Sequence, residues 1–157
     1  MIGRGLAMEE DMRVTDGAYR LDDQIGFLLR KANQRHLAIF AAGIADLTPM
    51  QFAALAKLHE CGPLSQIDLG RQTAMDAATI KGVIDRLRER GLVESRADAR
   101  DRRRLIVSLT DEGKSVFEDR VVRAAAISRE TLAPLDEEER RVLLDLLVRI
   151  AESSGIQ

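Results

Sequence analysis

"TIKGVIDRLRERGLVESRADARDRRRLIVSLTDEGK", residues 79–114, changes its hydrophobic period twice and carries a charged break in the middle. Ile80, Val83, Ile84 and Leu87 recur at i, i+3, i+4 and i+7, the narrow buried stripe of an amphipathic helix. Asp76, just upstream, can cap that helix, and Gly91 ends it. "LVESRA" and "RLIVSL" then have the composition of two short strands. Between them, residues 97–104 hold six charges in eight positions. Such a turn is either a solvated loop or an arm that reaches for a phosphate backbone, and the flanking chain decides between them.

Working outward, Ser65 with Asp68 three residues later starts a short helix running to about Gln72. Before it, "DLTPMQ" places a capping Thr48, Pro49 at the first helical position and Gln51 to complete a capping box. That helix carries Phe52, Leu55, Ala56 and Leu58 and stops near "CGP". Residues 21–42 place Ile25, Leu28, Leu29, Ala32, Leu37 and Phe40 at helical spacing, which predicts one long helix. Downstream, Thr110, Asp111 and Glu112 open another long helix to about Thr131. Pro134 breaks it, and Asp136 with Glu139 starts the last, to about Ser153. Three helices followed by a charged hairpin make a winged helix-turn-helix.

The expected fold class is therefore mainly α with a small β-hairpin wing and long flanking helices. The expected division is a flexible segment over residues 1–20 and a single domain over 21–157. Within it, the winged lobe covers about 48–110, and the helical parts 21–47 and 111–157 have apolar stripes left to bury against a second copy.

Composition narrows the function. Aromatic residues are 3% of the chain, too few for a stacking platform of many rings. A single cysteine, Cys61, excludes an internal disulfide and any cysteine-based zinc site. His36 and His59 fall on different helices without ligand spacing, so no metal and no cofactor is expected. No apolar stretch is long enough for a bilayer and the first residues lack a signal-peptide core, which predicts a cytoplasmic protein. No nucleophile sits with a base, and there is neither a phosphate loop nor a catalytic carboxylate pair, so no enzyme is expected. The net charge of −2 hides a polarity: residues 76–104 carry nine Lys/Arg against six Asp/Glu, and residues 111–157 seven against eleven.

On the helix over residues 76–90, Ala78, Gly82 and Asp85 point away from the buried stripe, with Thr79, Lys81 and Arg86 on the shoulders. Small side chains let a helix sink into the DNA major groove. Thr79 can meet a thymine methyl or base edge, Lys81 can reach guanine or phosphate, and the helix N-terminus faces phosphate favourably. Asp76 is counted with these DNA-contact candidates, as is Arg102 of the loop, although a capping role alone explains Asp76. In the loop, Asp101 stands two residues before Arg103, a spacing at which a carboxylate can clamp a guanidinium fork aimed into a narrow minor groove.

The stretch 79–114 resembles the signature of the MarR family of bacterial transcription regulators, winged-helix proteins of the multiple-antibiotic-resistance type. The family pattern of Asp-Arg-Leu, Gly-Leu-Val, Asp-x-x-Asp-Arg-Arg and Leu-Thr-x-x-Gly falls on Asp85, Arg86 and Leu87, then Gly91, Leu92 and Val93, then Asp98, Asp101, Arg102 and Arg103, then Leu109, Thr110 and Gly113. The resemblance extends over residues 21–153. It implies an obligate homodimer on a pseudo-palindromic double-stranded DNA operator, with Arg103 in the minor groove and Asp101 orienting it. "GFLLRKANQRHLAIF", "LTPMQFAALAKL" and "AMDAATIKGVIDRL" are similar to the branch that represses operons for aromatic-acid breakdown.

That resemblance implies a small aromatic carboxylate, or its thioester, in a crevice lined by the first helix and the start of the second. Arg35, His36 and Phe40 come from the first, and Thr48, Met50, Gln51 and Phe52 from the second. Arg35 and His36 would hold the carboxylate or a ring substituent, and Phe40 and Phe52 would sandwich the ring. The expectation is thus a DNA-binding repressor released by an aromatic acid. The alternatives are a winged-helix module that docks proteins, and a redox sensor using Cys61. For the latter, a helix C-terminus works against the thiolate.

Overall fold

The computed structural model describes residues 18–153. Most of the expected mobile segment, residues 1–17, and the end of the last helical part, residues 154–157, lie outside the described residues. The chain divides into two compact units, one ending at Gln34 and the other beginning at Arg35.

In the first unit, a 3-10 turn at Leu21–Asp23 precedes helix α1, Ile25–Gly43, whose first part belongs here. The helix expected from residue 21 thus begins at Ile25. Gln24 is extended, its side chain donates to the Arg20 carbonyl at 3.0 Å, and its own carbonyl accepts from Leu28. Gln24 so serves as the point of entry to α1. Leu21, Ile25, Leu28 and Leu29 are all exposed.

The second unit starts with the C-terminal part of α1, which buries Phe40. Helix α2, Pro49–Cys61, has the capping box as read: Thr48 Oγ1 accepts from the Gln51 amide, and the Gln51 side chain accepts from the Thr48 amide. Helix α3, Gln66–Gln72, is capped by Ser65, and α4, Ala77–Glu89, by Asp76. The stripe Ile80, Val83, Ile84 and Leu87 is buried throughout. It meets Leu55 and Leu58 of α2, Leu69 of α3, and Leu92, Val93 and Val107 of the sheet in one core. Each such side chain contributes about 1.5–3 kcal/mol by leaving water.

The sheet has three strands, not the two of the expected hairpin. β1 (Leu64–Ser65), β2 (Val93–Ala97) and β3 (Leu105–Leu109) lie in the order β1-β3-β2, all antiparallel. Leu64 pairs with Val107 and Ser65 with Ile106, so the residue that caps α3 also closes the sheet edge. Two residues carry too little periodicity to be read as a strand, and only pairing with Val107 and Ile106, 43 and 41 positions away, makes them one.

Helix α5, Asp111–Thr131, is seated by the Leu-Thr-x-x-Gly segment. Thr110 Oγ1 donates to the Gly91 carbonyl at 2.6 Å and accepts from the Gly113 amide at 3.0 Å. Gly91 has φ +71°, so its place favours glycine. A Cβ on Gly113 would fall 1.9 Å from the Leu92 carbonyl oxygen, so α5 reaches the sheet only because that Cβ is missing. Helix α6, Glu137–Glu152, has its own capping box from Asp136 and Glu139. Arg140 Nε donates to the carbonyls of Leu132 and Leu135, tying off the turn after α5. α6 buries no residue.

Candidate nucleic-acid interface and adjoining groove

The outward face of α4 is as small as the sequence implied. Ala78 and Gly82 are exposed and Thr79 is half-buried. A Cβ on Gly82 would meet nothing within 4 Å. Packing within the chain therefore does not require glycine there, although an interior helical glycine costs about 0.5–1 kcal/mol relative to alanine. Asp76 is occupied as a cap: its Oδ1 accepts from the Thr79 amide at 2.7 Å. Those backbone donors hold its carboxyl below the usual carboxylate range. Lys81 Nζ donates to Asp85 at 2.8 Å, and Arg88 also reaches Asp85, whose carboxyl is lowered chiefly by the Lys81 hydrogen bond. The Lys81 ammonium thus starts tethered along α4. Arg86 is exposed and has no ion pair among the described residues.

The wing tip is built on two aspartate turns. Asp98 Oδ1 accepts from the Arg100 amide and Asp101 Oδ1 from the Arg103 amide, each at 3.0 Å. The Asp98 amide donates to the Arg104 carbonyl at 2.8 Å, which closes the loop. Among the described residues, Asp101 does not clamp the Arg103 guanidinium as the sequence leads one to expect. Asp101 holds the backbone amide of Arg103, because a short side chain reaches an amide two residues on more readily than it reaches that residue's distant fork. Arg104 points back to Asp68 of α3 at 3.4 Å. Arg100, Arg102 and Arg103 are exposed and unpaired among the described residues. The four arginines of the opening stretch are thus divided, one tying the wing to α3 and three facing solvent.

A groove of about 490 Å³ runs beside this face, lined by Leu37, Thr48, Pro49, Met50, Gln51, Ala78, Thr79, Gly82, Val83 and Arg86. Three of the expected ligand residues, Thr48, Met50 and Gln51, are in its wall, and the opposite wall is the face of α4 itself. Leu37, Pro49 and Val83 were not foreseen as lining residues. Leu37 had a signal in being apolar at helical spacing, yet it is left partly exposed.

Four expected ligand residues lie elsewhere. Arg35 donates to the Glu130 carbonyl at 3.0 Å, at the C-terminal end of α5. His36 Nδ1 lies 2.9 Å from Thr131 Oγ1. That hydroxyl spends its proton on the Ile127 carbonyl, so the histidine is the donor in the pair. Both residues thus tie α1 to α5. Phe40 and Phe52 touch each other edge to face, with centroids 6.3 Å apart and planes at 65°, which leaves no slot between them for a further ring. Phe52 continues to Phe117 at 5.4 Å, an aromatic chain of the core. Cys61 is exposed at the end of α2, its thiol donating to Gln72 at 3.6 Å.

Asp46, unmarked in the sequence, gathers two arginines. Arg120 of α5 contacts both carboxylate oxygens, at 3.1 and 3.2 Å, and Arg90, which closes α4, donates to the Asp46 backbone oxygen. The Arg120 hydrogen bonds hold the Asp46 carboxyl below the usual range. Among the described residues, no group of three His, Cys, Asp or Glu is placed to hold a metal, and no helix is long and apolar enough to cross a membrane.

The MarR family profile matches residues 47–105. The transcriptional repressor NicR of Pseudomonas putida is 42% identical over 137 residues, which cover 86% of this chain and 87% of NicR. Among solved structures, Bordetella bronchiseptica BpsR, whose DNA binding is regulated by 6-hydroxynicotinic acid, superposes with a TM-score of 0.85 at 38% identity, covering 88% of this chain and 100% of that one. The PcaV regulator of Streptomyces coelicolor, in complex with its natural ligand, gives 0.82 at 34% identity, covering 88% and 99%.

Proposed function

The chain belongs to the MarR family of transcriptional regulators, and from that premise we propose that it is a dimeric, sequence-specific repressor that small aromatic carboxylates release from DNA. Residues 48–110 form the DNA-binding lobe, and the helical parts 21–47 and 111–157 join two copies in the cytoplasm. Ala78, Thr79, Gly82 and Arg86 enter the major groove. Arg103 enters the minor groove from a tip shaped by Asp101, and Arg102 adds a phosphate contact. Lys81 exchanges Asp85 for the DNA. The chain carries out no reaction of its own.

One observation carries the effector reading: the groove beside α4 has the recognition face as one of its walls. Its volume suits a small ligand. Among the described residues, its only charged lining residue is Arg86, which has no ion pair there and presents a fork matched to a carboxylate, and Leu37, Met50 and Val83 offer apolar contact for a ring. A ligand seated there covers the atoms that DNA would use, so effector and operator exclude each other. The effect is reciprocal, with operator weakening effector binding by the same factor. The regulation of BpsR by 6-hydroxynicotinic acid supports hydroxylated aromatic or heteroaromatic acids as the class.

The test is a titration of 6-hydroxynicotinate, nicotinate, benzoate and hydroxycinnamates against a labelled duplex from upstream of the gene. At least one acid is expected to release the wild-type protein. Met50→Glu, which sets a carboxylate at the groove mouth, is expected to blunt release while ligand-free binding persists. His36→Ala, at the α5 end, serves as the contrasting variant and is expected to respond as wild type. No response to any acid would overturn the effector class. Loss of response in His36→Ala alone would move the ligand to the Arg35 and His36 side.

A further inference from the structure

Three elements meet on one carboxylate. Asp46 stands in the turn between α1 and α2. Arg120, on α5, lays Nε and Nη2 on its two oxygens at 3.2 and 3.1 Å, a fork-to-fork pair that fixes direction as well as distance. Arg90, the residue that closes α4, donates from Nη1 to the Asp46 backbone oxygen at 2.5 Å and holds Nη2 3.7 Å from Oδ2. Neither arginine has another ion pair among the described residues. The three side chains are 34–40% exposed, so solvent screens the pair and its net effect on stability is small.

What the cluster adds is orientation. The buried stripe of α4 sets the depth and the approximate crossing of the helix, and the directional pair at its C-terminal end narrows the tilt further than non-directional apolar contact does. The N-terminal half of α4 carries Ala78, Thr79 and Gly82, while Arg90 sits at the opposite end, where a small swing displaces the exposed face most. We propose that Asp46 is a positioning residue for DNA recognition, fixing the C-terminal end of α4 against α5 so that the outer face of α4 meets base edges in register. This rests on the reading of that face as the DNA-contacting surface. It differs from a stability role, because its consequence falls on discrimination between sequences and not on the fold.

The experiment compares wild type, Asp46→Asn, Arg120→Gln, Arg90→Gln and the Asp46→Asn/Arg120→Gln double variant. Three quantities are read for each: affinity for the selected operator, affinity for a random duplex of equal length, and melting temperature. Asp46→Asn is expected to lower operator affinity at least ten-fold. Its random-duplex affinity should stay level or rise slightly, since a negative charge is lost, and its melting temperature should stay close to wild type. The double variant is expected to be no worse than Asp46→Asn alone, because both break one link. An Asp46→Asn protein that keeps the wild-type ratio of specific to random binding overturns the proposal. So does a ratio that falls only in step with melting temperature. A wild-type protein with no sequence preference would overturn the DNA reading and this proposal with it, an outcome distinct from a selective wild type with selective variants.

Discussion

Helices α4 and α6 carry the same kind of sequence signal and meet opposite fates. α4 places Ile80, Val83, Ile84 and Leu87 on one stripe, and every one is buried by α2, α3 and the sheet. α6 repeats that spacing at Leu143, Leu146, Leu147 and Ile150, of which Leu143 is half-buried and the other three are exposed, as are Val142, Leu144 and Val148 on its flanks. An amphipathic stripe states that a face needs covering; it does not state by what. For α4 the cover is in the same chain, and the winged lobe completes its own core. For α6 it is not among the described residues. An apolar surface of that extent on a water-exposed helix is the mark of an association site, which a second copy fills most economically.

The contrast breaks most severely at Gly113. A valine there must displace the Leu92 backbone, which also accepts from the Thr110 amide, so the start of α5 lifts off the sheet. Destabilisation on the order of 4 kcal/mol or more is expected, read as lost thermal cooperativity. A Gly113→Val protein that melts as wild type would remove the close approach as a cause of the fold. On the other side of the contrast, Leu144→Arg with Leu147→Arg should leave the helical signal in place but shift sedimentation at micromolar concentration from dimer to monomer. With the two half-sites uncoupled, operator affinity should fall about a hundred-fold or more. A wild-type protein that sediments as a stable monomer would refute this.

Smaller effects are expected where the lobe faces DNA. Arg103→Ala should cost about 1–3 kcal/mol of operator binding per half-site while the melting temperature holds, measured by titration at fixed salt. Asp101→Ala should cost less, since it loosens only the amide of Arg103 and leaves the guanidinium in place. The smallest change is Gly82→Ala. With open space around its Cβ, the variant should gain about 0.5–1 kcal/mol in stability, yet bind operator more weakly. If it binds as tightly as wild type, the small face of α4 is not pressed against DNA.

Much of the fold was legible because it is written in local chemistry. Thr48 with Gln51, Ser65, Asp76, Thr110, and Asp136 with Glu139 all cap the helices they were read to cap. The stripe of α4 is a property of consecutive residues and survives into the structure unchanged. The site was legible in part. The spacing on α4 and the charge of the wing singled out Ala78, Gly82 and Arg103 as outward-facing, and the structure leaves them exposed. Of the ten residues that line the groove, Thr48, Met50 and Gln51 are ligand candidates in the sequence because they precede or begin one helix, whereas Leu37 and Val83 join them only when three helices converge.

Local chemistry thus settles the set of helices and their capped ends, the buried side of α4 and the charge of the wing, since caps, periods and charge runs act over a few residues. Long-range packing did the rest. It made a strand of Leu64 and Ser65 by pairing them with Val107 and Ile106. It drew Asp46 to Arg90 and Arg120 across 44 and 74 positions. It also assigned Arg35 and His36 to the end of α5, 95 residues away. Hydrogen bonds and ion pairs are made by whichever groups packing brings within reach, and which groups those are is set by how the helices cross, a quantity that no short stretch of chain encodes.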